Sequence, residues 1–67
     1  MIISNQHLLR LCMQHKWFTA GSNKQYEKLF KRNLEPLPLT TLATVLWIFS
    51  TGWKEQEILD ILQKEAF

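Results

Sequence analysis

The chain has 67 residues, of which 46% are hydrophobic and 12% aromatic, and this composition excludes an intrinsically disordered chain. Its single cysteine excludes an intrachain disulfide, and a Cys-His zinc cage needs more ligands than the sequence offers. The net charge of +2 is too small to indicate a polyanionic partner. We expect one small domain spanning residues 1–67, in a reducing cytoplasm, where lone thiols are usual.

The charges are divided unevenly along the chain. Residues 1–34 carry six Lys or Arg against one Glu, a balance of +5, and residues 35–67 carry two Lys against five acids, a balance of −3. Opposite charges on the two halves predict attraction, either within one fold or between two copies of the chain.

An uncharged run of 18 residues, 36–53, must be tested as a membrane span. Its continuous helical part is about 11–13 residues, because Pro36 and Pro38 precede it, and a span needs about 20. The N-terminus has no basic segment before an apolar run, so no signal peptide is predicted. The sequence therefore predicts a soluble protein with no membrane partner.

The first two helices are predicted at about residues 5–16 and 23–33 from the apolar periodicity. Ser4 is a good N-cap for the first helix, and Ser22 with Gln25 forms a capping box for the second. The core face of the first helix comprises Leu8, Leu11, Cys12 and His15, widened by Leu9 and Met13. The narrower apolar face of the second comprises Tyr26, Leu29 and Phe30.

The third helix, at about residues 40–51, is the most apolar and is predicted to be the centre of the fold. Thr40 or Thr41 is expected to cap it, and Gly52 to end it in a left-handed turn. Its main apolar face comprises Leu39, Leu42, Val45, Leu46 and Phe49. A fourth helix follows at about residues 54–65, with Ile58, Leu59, Ile61, Leu62 and Ala66 on its core face. The sequence predicts an all-α fold, a compact bundle of four short helices packed around the third.

Cys12 and His15 lie three residues apart on the first helix, as a nucleophile and its base or part of a metal site would. No Asp or Glu precedes Glu27 to orient the histidine, and both residues lie on the predicted core face. Two glycines are too few for a glycine-rich phosphate loop. We therefore expect no enzyme activity, no cofactor or metal, and no small-molecule substrate.

Aromatic residues are abundant for so small a core, and surface aromatics are typical anchors of protein interfaces. Trp47 and Ile48 leave the main face of the third helix on opposite sides, so they are the first candidates. The predicted interface comprises Trp47, Ile48, Trp53, Trp17 and Phe18. The alternative is that a small core simply uses large side chains. We favour a non-enzymatic protein-interaction or regulatory module, which forms a homodimer or binds another protein.

Four cations gather opposite the apolar face of the second helix, namely Lys24, Lys28, Lys31 and Arg32. Such a cluster binds nucleic-acid phosphates or, more commonly, only keeps a helix surface soluble. A small nucleic-acid-binding protein is therefore the alternative function, and the less favoured one.

Overall fold

The computed structural model describes residues 3–32 and 37–66, with the side chains of 29–32 outside the described part. It contains four helices: α1 (Asn5–Gln14), α2 (Ser22–Arg32), α3 (Leu39–Phe49) and α4 (Glu55–Glu65). No strand occurs within the described ranges. The Cα radius of gyration is 10.7 Å, close to the value of about 11 Å expected for a compact chain of this length. The predicted all-α bundle of four short helices is confirmed.

One hydrophobic core joins the four helices. Its fully or nearly fully buried side chains are Ile3, Leu8, Leu11, Cys12, Trp17, Tyr26, Leu42, Ala43, Leu46, Ile58 and Leu62. Among the described helices, α3 and α4 pack against each other most extensively. The chain reverses between them at Gly52, which has the expected left-handed conformation with φ of +84°. Gly52 does not end α3, however: the helix ends at Phe49, two residues earlier than predicted, and Ser50 after it is extended with φ of −100°. The α3–α4 hairpin is therefore the most extensively packed pair among the described helices.

The first helix ends two residues earlier than predicted, at Gln14, because Lys16 adopts a left-handed conformation with φ of +53°. The Trp17 amide donates to the Cys12 carbonyl at 3.1 Å, and the Lys16 amide donates to the Met13 carbonyl at 3.4 Å. This pair of hydrogen bonds is the Schellman motif, in which glycine usually takes the left-handed position. A lysine there costs about 1–2 kcal/mol of backbone energy, and the motif turns Trp17 back towards the core.

The N-terminal caps of α1 and α3 confirm one prediction and correct another. Ser4 caps α1 as predicted, with its hydroxyl accepting from the His7 amide at 3.2 Å. The expectation that Thr40 or Thr41 caps α3 is wrong, since α3 begins at Leu39. Pro38 occupies the cap position, and its carbonyl accepts from the Leu42 amide at 2.9 Å. A proline serves there because it has no amide to leave unpaired and its φ is already fixed.

The start of α2 lies one residue earlier than predicted, at Ser22. The predicted capping box of Ser22 with Gln25 is wrong, because Ser22 is the first helical residue and its hydroxyl is used as a donor to the preceding turn. The Ser22 hydroxyl donates to the Thr19 carbonyl at 2.7 Å, and the Ser22 amide donates to the same oxygen at 3.1 Å. Thr19 in turn donates its amide to the Phe49 carbonyl at 3.0 Å. The connection between α1 and α2 is therefore hydrogen-bonded to the C-terminal end of α3.

Candidate protein interface

The orientation of α3 decides which of its apolar side chains face solvent. Its buried residues are Leu42, Ala43 and Leu46, whereas Val45, on the predicted main face, is only half-buried. Ala43 was missed in the sequence because a small residue contributes little to an apolar pattern. Its burial shifts the core-facing side of α3 by a few tens of degrees away from Val45.

Trp47 and Ile48 lie on the side of α3 that the core does not cover. Trp47 is 47% exposed and Ile48 is 67% exposed, both large apolar side chains. Thr40 and Thr41 are also exposed on this side, and Thr44 is half-buried. We call these five residues the α3 outer face. Its two apolar members are adjacent in sequence, and both were predicted as interface residues.

A hydroxyl and a carboxylate mark the edge of the α3 outer face. The Thr44 hydroxyl lies 3.0 Å from the Thr40 carbonyl oxygen and 3.3 Å from a carboxylate oxygen of Glu55. Either oxygen can accept the hydroxyl proton, so Thr44 has its hydrogen bond without a partner protein. The first turn of α4 therefore borders the α3 outer face and places one negative charge at its rim.

Trp17, in contrast, is fully buried, which corrects the expectation that it is a surface anchor. Its ring stacks on His15 with the centroids 5.2 Å apart, and it meets the half-buried Trp53 edge-on at 5.9 Å. The Schellman motif at the end of α1 explains this burial, because the residue after the left-handed position folds back onto the helix. The amino-acid types around Trp17 did not predict the left-handed turn at Lys16.

Phe18 and Trp53 are half-buried and belong mainly to the core. Phe18 packs against the buried Tyr26 with ring centroids 4.9 Å apart, and Trp53 also meets His15 edge-on at 6.1 Å. Each therefore offers only one edge to solvent. Of the five residues predicted for the interface, the structure brings together Trp47 and Ile48 on one exposed face and uses the others mostly in packing.

The Trp17 indole nitrogen is buried and has no hydrogen-bond partner among the described residues. A buried donor left unpaired costs about 1–3 kcal/mol. The burial of the large indole ring and its aromatic contacts must outweigh this cost.

The predicted basic cluster on α2 is only partly described. Lys24 and Lys28 are exposed, and the side chains of Lys31 and Arg32 lie outside the described part. No Lys or Arg whose side chain is described forms a salt bridge with a carboxylate, and the His7 ring nitrogen lies 3.3 Å from a Glu65 carboxylate oxygen. Among the described side chains, the cations of the first half therefore do not pair with the carboxylates of the second half.

The Cys12 thiol is buried in the core. Burial raises its pKa from 9.0 to about 12, although a hydrogen bond with Tyr26 acts in the opposite direction. Burial also raises the pKa of the Tyr26 hydroxyl, and the charge of an ionised Cys12 would raise it further. A thiol nucleophile must be ionised and accessible, so this environment suits packing rather than catalysis.

We expect Cys12 in the folded protein to resist alkylation by iodoacetamide at pH 8, and to react at the rate of an ordinary thiol once the chain is unfolded in urea. Because the folded pKa is above the unfolded one, the neutral thiol favours folding below pH about 9. That contribution is lost as the pH rises from about 9 to about 12. Mass spectrometry of samples taken over time measures how much of Cys12 iodoacetamide has alkylated. Rapid labelling of the native chain would contradict the burial of Cys12.

Neither a metal site nor a membrane span emerges from the described residues. No group of three or more His, Cys, Asp or Glu within them is placed to hold a metal ion. The most apolar described helix, α3, has 11 residues, and each described helix falls short of the about 20 that cross a bilayer. Comparison with protein-family models, with curated proteins and with solved structures finds no match for this chain.

Proposed function

We propose that this chain is a small non-enzymatic interaction module that self-associates as a homodimer through the α3 outer face. The observation that carries the proposal is the exposure of Trp47 and Ile48, two adjacent large apolar side chains on one helix face. Large tryptophan side chains are frequent energetic centres of protein interfaces. The exposed surface of a small monomer rarely holds such a pair without a partner. The cytoplasm is proposed as its location, in keeping with a buried free thiol.

The absence of charge on α3 favours a second copy as the partner. Residues 37–53 contain no Asp, Glu, Lys or Arg, so the centres of two α3 outer faces can meet about a two-fold axis without opposing like charges, and the Glu55 carboxylate stays at the rim. Exposed Thr40 and Thr41 supply short side chains that let two helix backbones approach closely. The interface of one helix face is smaller than the about 800 Å² per partner of a stable complex. We therefore expect a dissociation constant on the order of micromolar or weaker.

The uneven charges of the chain support the same partner. Arg10, Lys16, Lys24 and Lys28 are exposed in the first half, and Glu55, Glu57, Asp60 and Glu65 in the second. Glu65 contacts His7 in its own chain. Since no Lys or Arg whose side chain is described forms a salt bridge, the other opposite charges remain available across a dimer. Such complementary surfaces speed association and orient the two copies.

Sedimentation equilibrium over a range of concentrations tests the proposal. The parent chain is expected to move from 8.0 kDa towards twice that mass as its concentration rises. Trp47→Ala and Ile48→Ala should each weaken the association at least about 10-fold, equivalent to about 1.4 kcal/mol. Met13→Ala is the matched control, because it removes an exposed apolar side chain from α1 and should leave the association unchanged.

Circular dichroism separates loss of association from loss of fold, because neither Trp47 nor Ile48 belongs to the core. Both variants should keep the helix content of the parent. A parent that stays at 8.0 kDa up to millimolar concentration would overturn self-association. Equal weakening by Met13→Ala would show that the α3 outer face is not the contact surface.

Nucleic-acid binding is the second candidate function, and one observation favours it. Lys24 and Lys28 lie one turn apart on α2, are exposed, and have no carboxylate partner within the described residues. Binding would fall steeply with salt and would be lost when Lys24, Lys28, Lys31 and Arg32 are replaced by Gln. A parent chain that is not retained on immobilised DNA or RNA at low salt removes this candidate.

A further inference from the structure

A second exposed apolar surface lies on α1, away from the α3 outer face. Side chains of α1 line a shallow, open groove, which we call the α1 groove: Gln6, Leu9, Arg10, Met13 and Gln14. Met13 is 61% exposed and Leu9 is half-buried. Leu9 and Met13 are four residues apart, so their side chains are neighbours on the helix surface.

Helix geometry places the α1 groove away from the core. The buried side of α1 is formed by Leu8, Leu11 and Cys12. Met13 is about 140° from Leu8 around the helix, so a contact with the core cannot cover it. Its exposure corrects the expectation that Met13 widens the core face of the first helix.

Arg10 is the charged side chain that lines the α1 groove. Residues 3–26 contain no Asp or Glu, and the Glu65 carboxylate of α4 meets α1 at His7, which does not line the groove. Arg10 is exposed in the groove and forms no salt bridge within the described ranges. Arginine and methionine are both enriched in the buried centres of protein interfaces, and lysine is depleted there. Methionine also adapts its shape to different partners.

We propose that the α1 groove is a docking site for an amphipathic helix of another protein that carries carboxylates beside its apolar residues. Leu9 and Met13 would cover the apolar side of that helix, and the Arg10 guanidinium would hold a carboxylate through two parallel hydrogen bonds. Gln6 and Gln14 are neutral and can donate to further carboxylates at the two ends. The groove spans about 12 Å along α1, the length of roughly two helical turns.

Helix α4 of a second copy does not meet this description. It carries carboxylates, but its apolar residues Ile58 and Leu62 are fully buried in its own core. A polyanion or lipid surface is also a poorer fit, because the groove offers a single cation around an apolar centre. The α3 outer face of a second copy has no charged residue of its own between 37 and 53. The exposed arginine therefore favours an acidic helix from a different chain as the occupant, and the groove residues belong to α1 rather than to the α3 outer face.

The test uses the full chain, labelled with nitrogen-15 and titrated with a synthetic helical peptide of about 14 residues. Leu occupies one face of the peptide and Glu the other, and the control peptide has Lys in place of every Glu. Saturable shifts are expected at the amides of Gln6 to Gln14. The Lys peptide should bind at least about 10-fold more weakly, since it meets Arg10 with a like charge.

Two variants and one matched control locate the site. Arg10→Gln and Met13→Gln should each weaken binding of the Glu peptide at least about 10-fold. Lys24→Gln removes the same charge from α2 and should change the affinity by less than about 3-fold, because Lys24 is exposed and does not line the α1 groove. All three positions are exposed, so circular dichroism should show unchanged helix content.

Several outcomes would overturn this proposal. Equal affinity for the two peptides would remove the role of charge, and shifts confined to α3 would place binding elsewhere. Equal losses in Arg10→Gln and Lys24→Gln would reduce the effect to net charge. Binding to vesicles of phosphatidylcholine with phosphatidylserine, lost in Arg10→Gln and without any peptide binding, would assign the groove to a lipid surface instead.

Discussion

Leu46→Ala is expected to lower the free energy of unfolding by about 2–5 kcal/mol. Leu46 is fully buried on α3, so removing its branched end leaves a cavity that a small core cannot fill by collapsing. Natural domains have only about 5–15 kcal/mol to lose, and one this small lies near the lower limit. Urea unfolding followed by circular dichroism measures the change through the shift in midpoint.

Thr41→Ala is the matched control for Leu46→Ala. Thr41 is on the same helix but is exposed, so its replacement should alter the free energy of unfolding by no more than about 0.5 kcal/mol. Phe49 is only half-buried, and Phe49→Ala should therefore cost less than its size would suggest. If Leu46→Ala unfolds at the same urea concentration as the parent, α3 is not central to the fold.

Trp17→Ala is expected to lower the free energy of unfolding by about 3–5 kcal/mol. The indole ring is fully buried and contacts His15 and Trp53, so its removal empties a large part of the core. Trp17→Phe should cost clearly less, because it keeps an aromatic ring. Trp17→Phe also removes an indole nitrogen that has no hydrogen-bond partner within the described residues.

The comparison of the two Trp17 variants isolates the contribution of an aromatic ring at this position. Both are measured by urea unfolding monitored by circular dichroism, since a change in tryptophan content alters the fluorescence itself. If Trp17→Phe is as destabilising as Trp17→Ala, an aromatic ring at position 17 contributes nothing to stability, and the account of Trp17 as an aromatic core residue is wrong.

The helices could be predicted from the sequence because each follows a physical pattern that is local in the chain. Apolar residues at intervals of three and four located all four helices, and Ser4 was correctly placed as the cap of α1. The early end of α1 was not predictable, since a lysine is a poor candidate for the left-handed conformation that Lys16 adopts. The start of α3 at Leu39 also followed from the backbone of Pro38 rather than from a threonine side chain.

The candidate surfaces were predictable to the extent that helix geometry alone decides them. The angular positions of Trp47 and Ile48 around α3 set them apart from its main apolar face, and both are exposed. The same geometry applied to Met13 would have identified an exposed apolar residue on α1. The burial of Trp17 depends on a turn in the backbone between α1 and α2. Such a turn cannot be predicted from the composition of the chain or from the spacing of its apolar residues.

Intermolecular nuclear Overhauser effects between a labelled and an unlabelled copy test most directly whether the α3 outer face is a self-association surface. At concentrations above the dissociation constant, we expect contacts from the Ile48 methyl groups and the Trp47 ring to protons of the second copy's α3. Trp47→Ala should remove these contacts while the intramolecular contacts of Leu46 persist. A mixed sample with no intermolecular contacts at millimolar concentration, or with contacts only outside α3, would contradict this account.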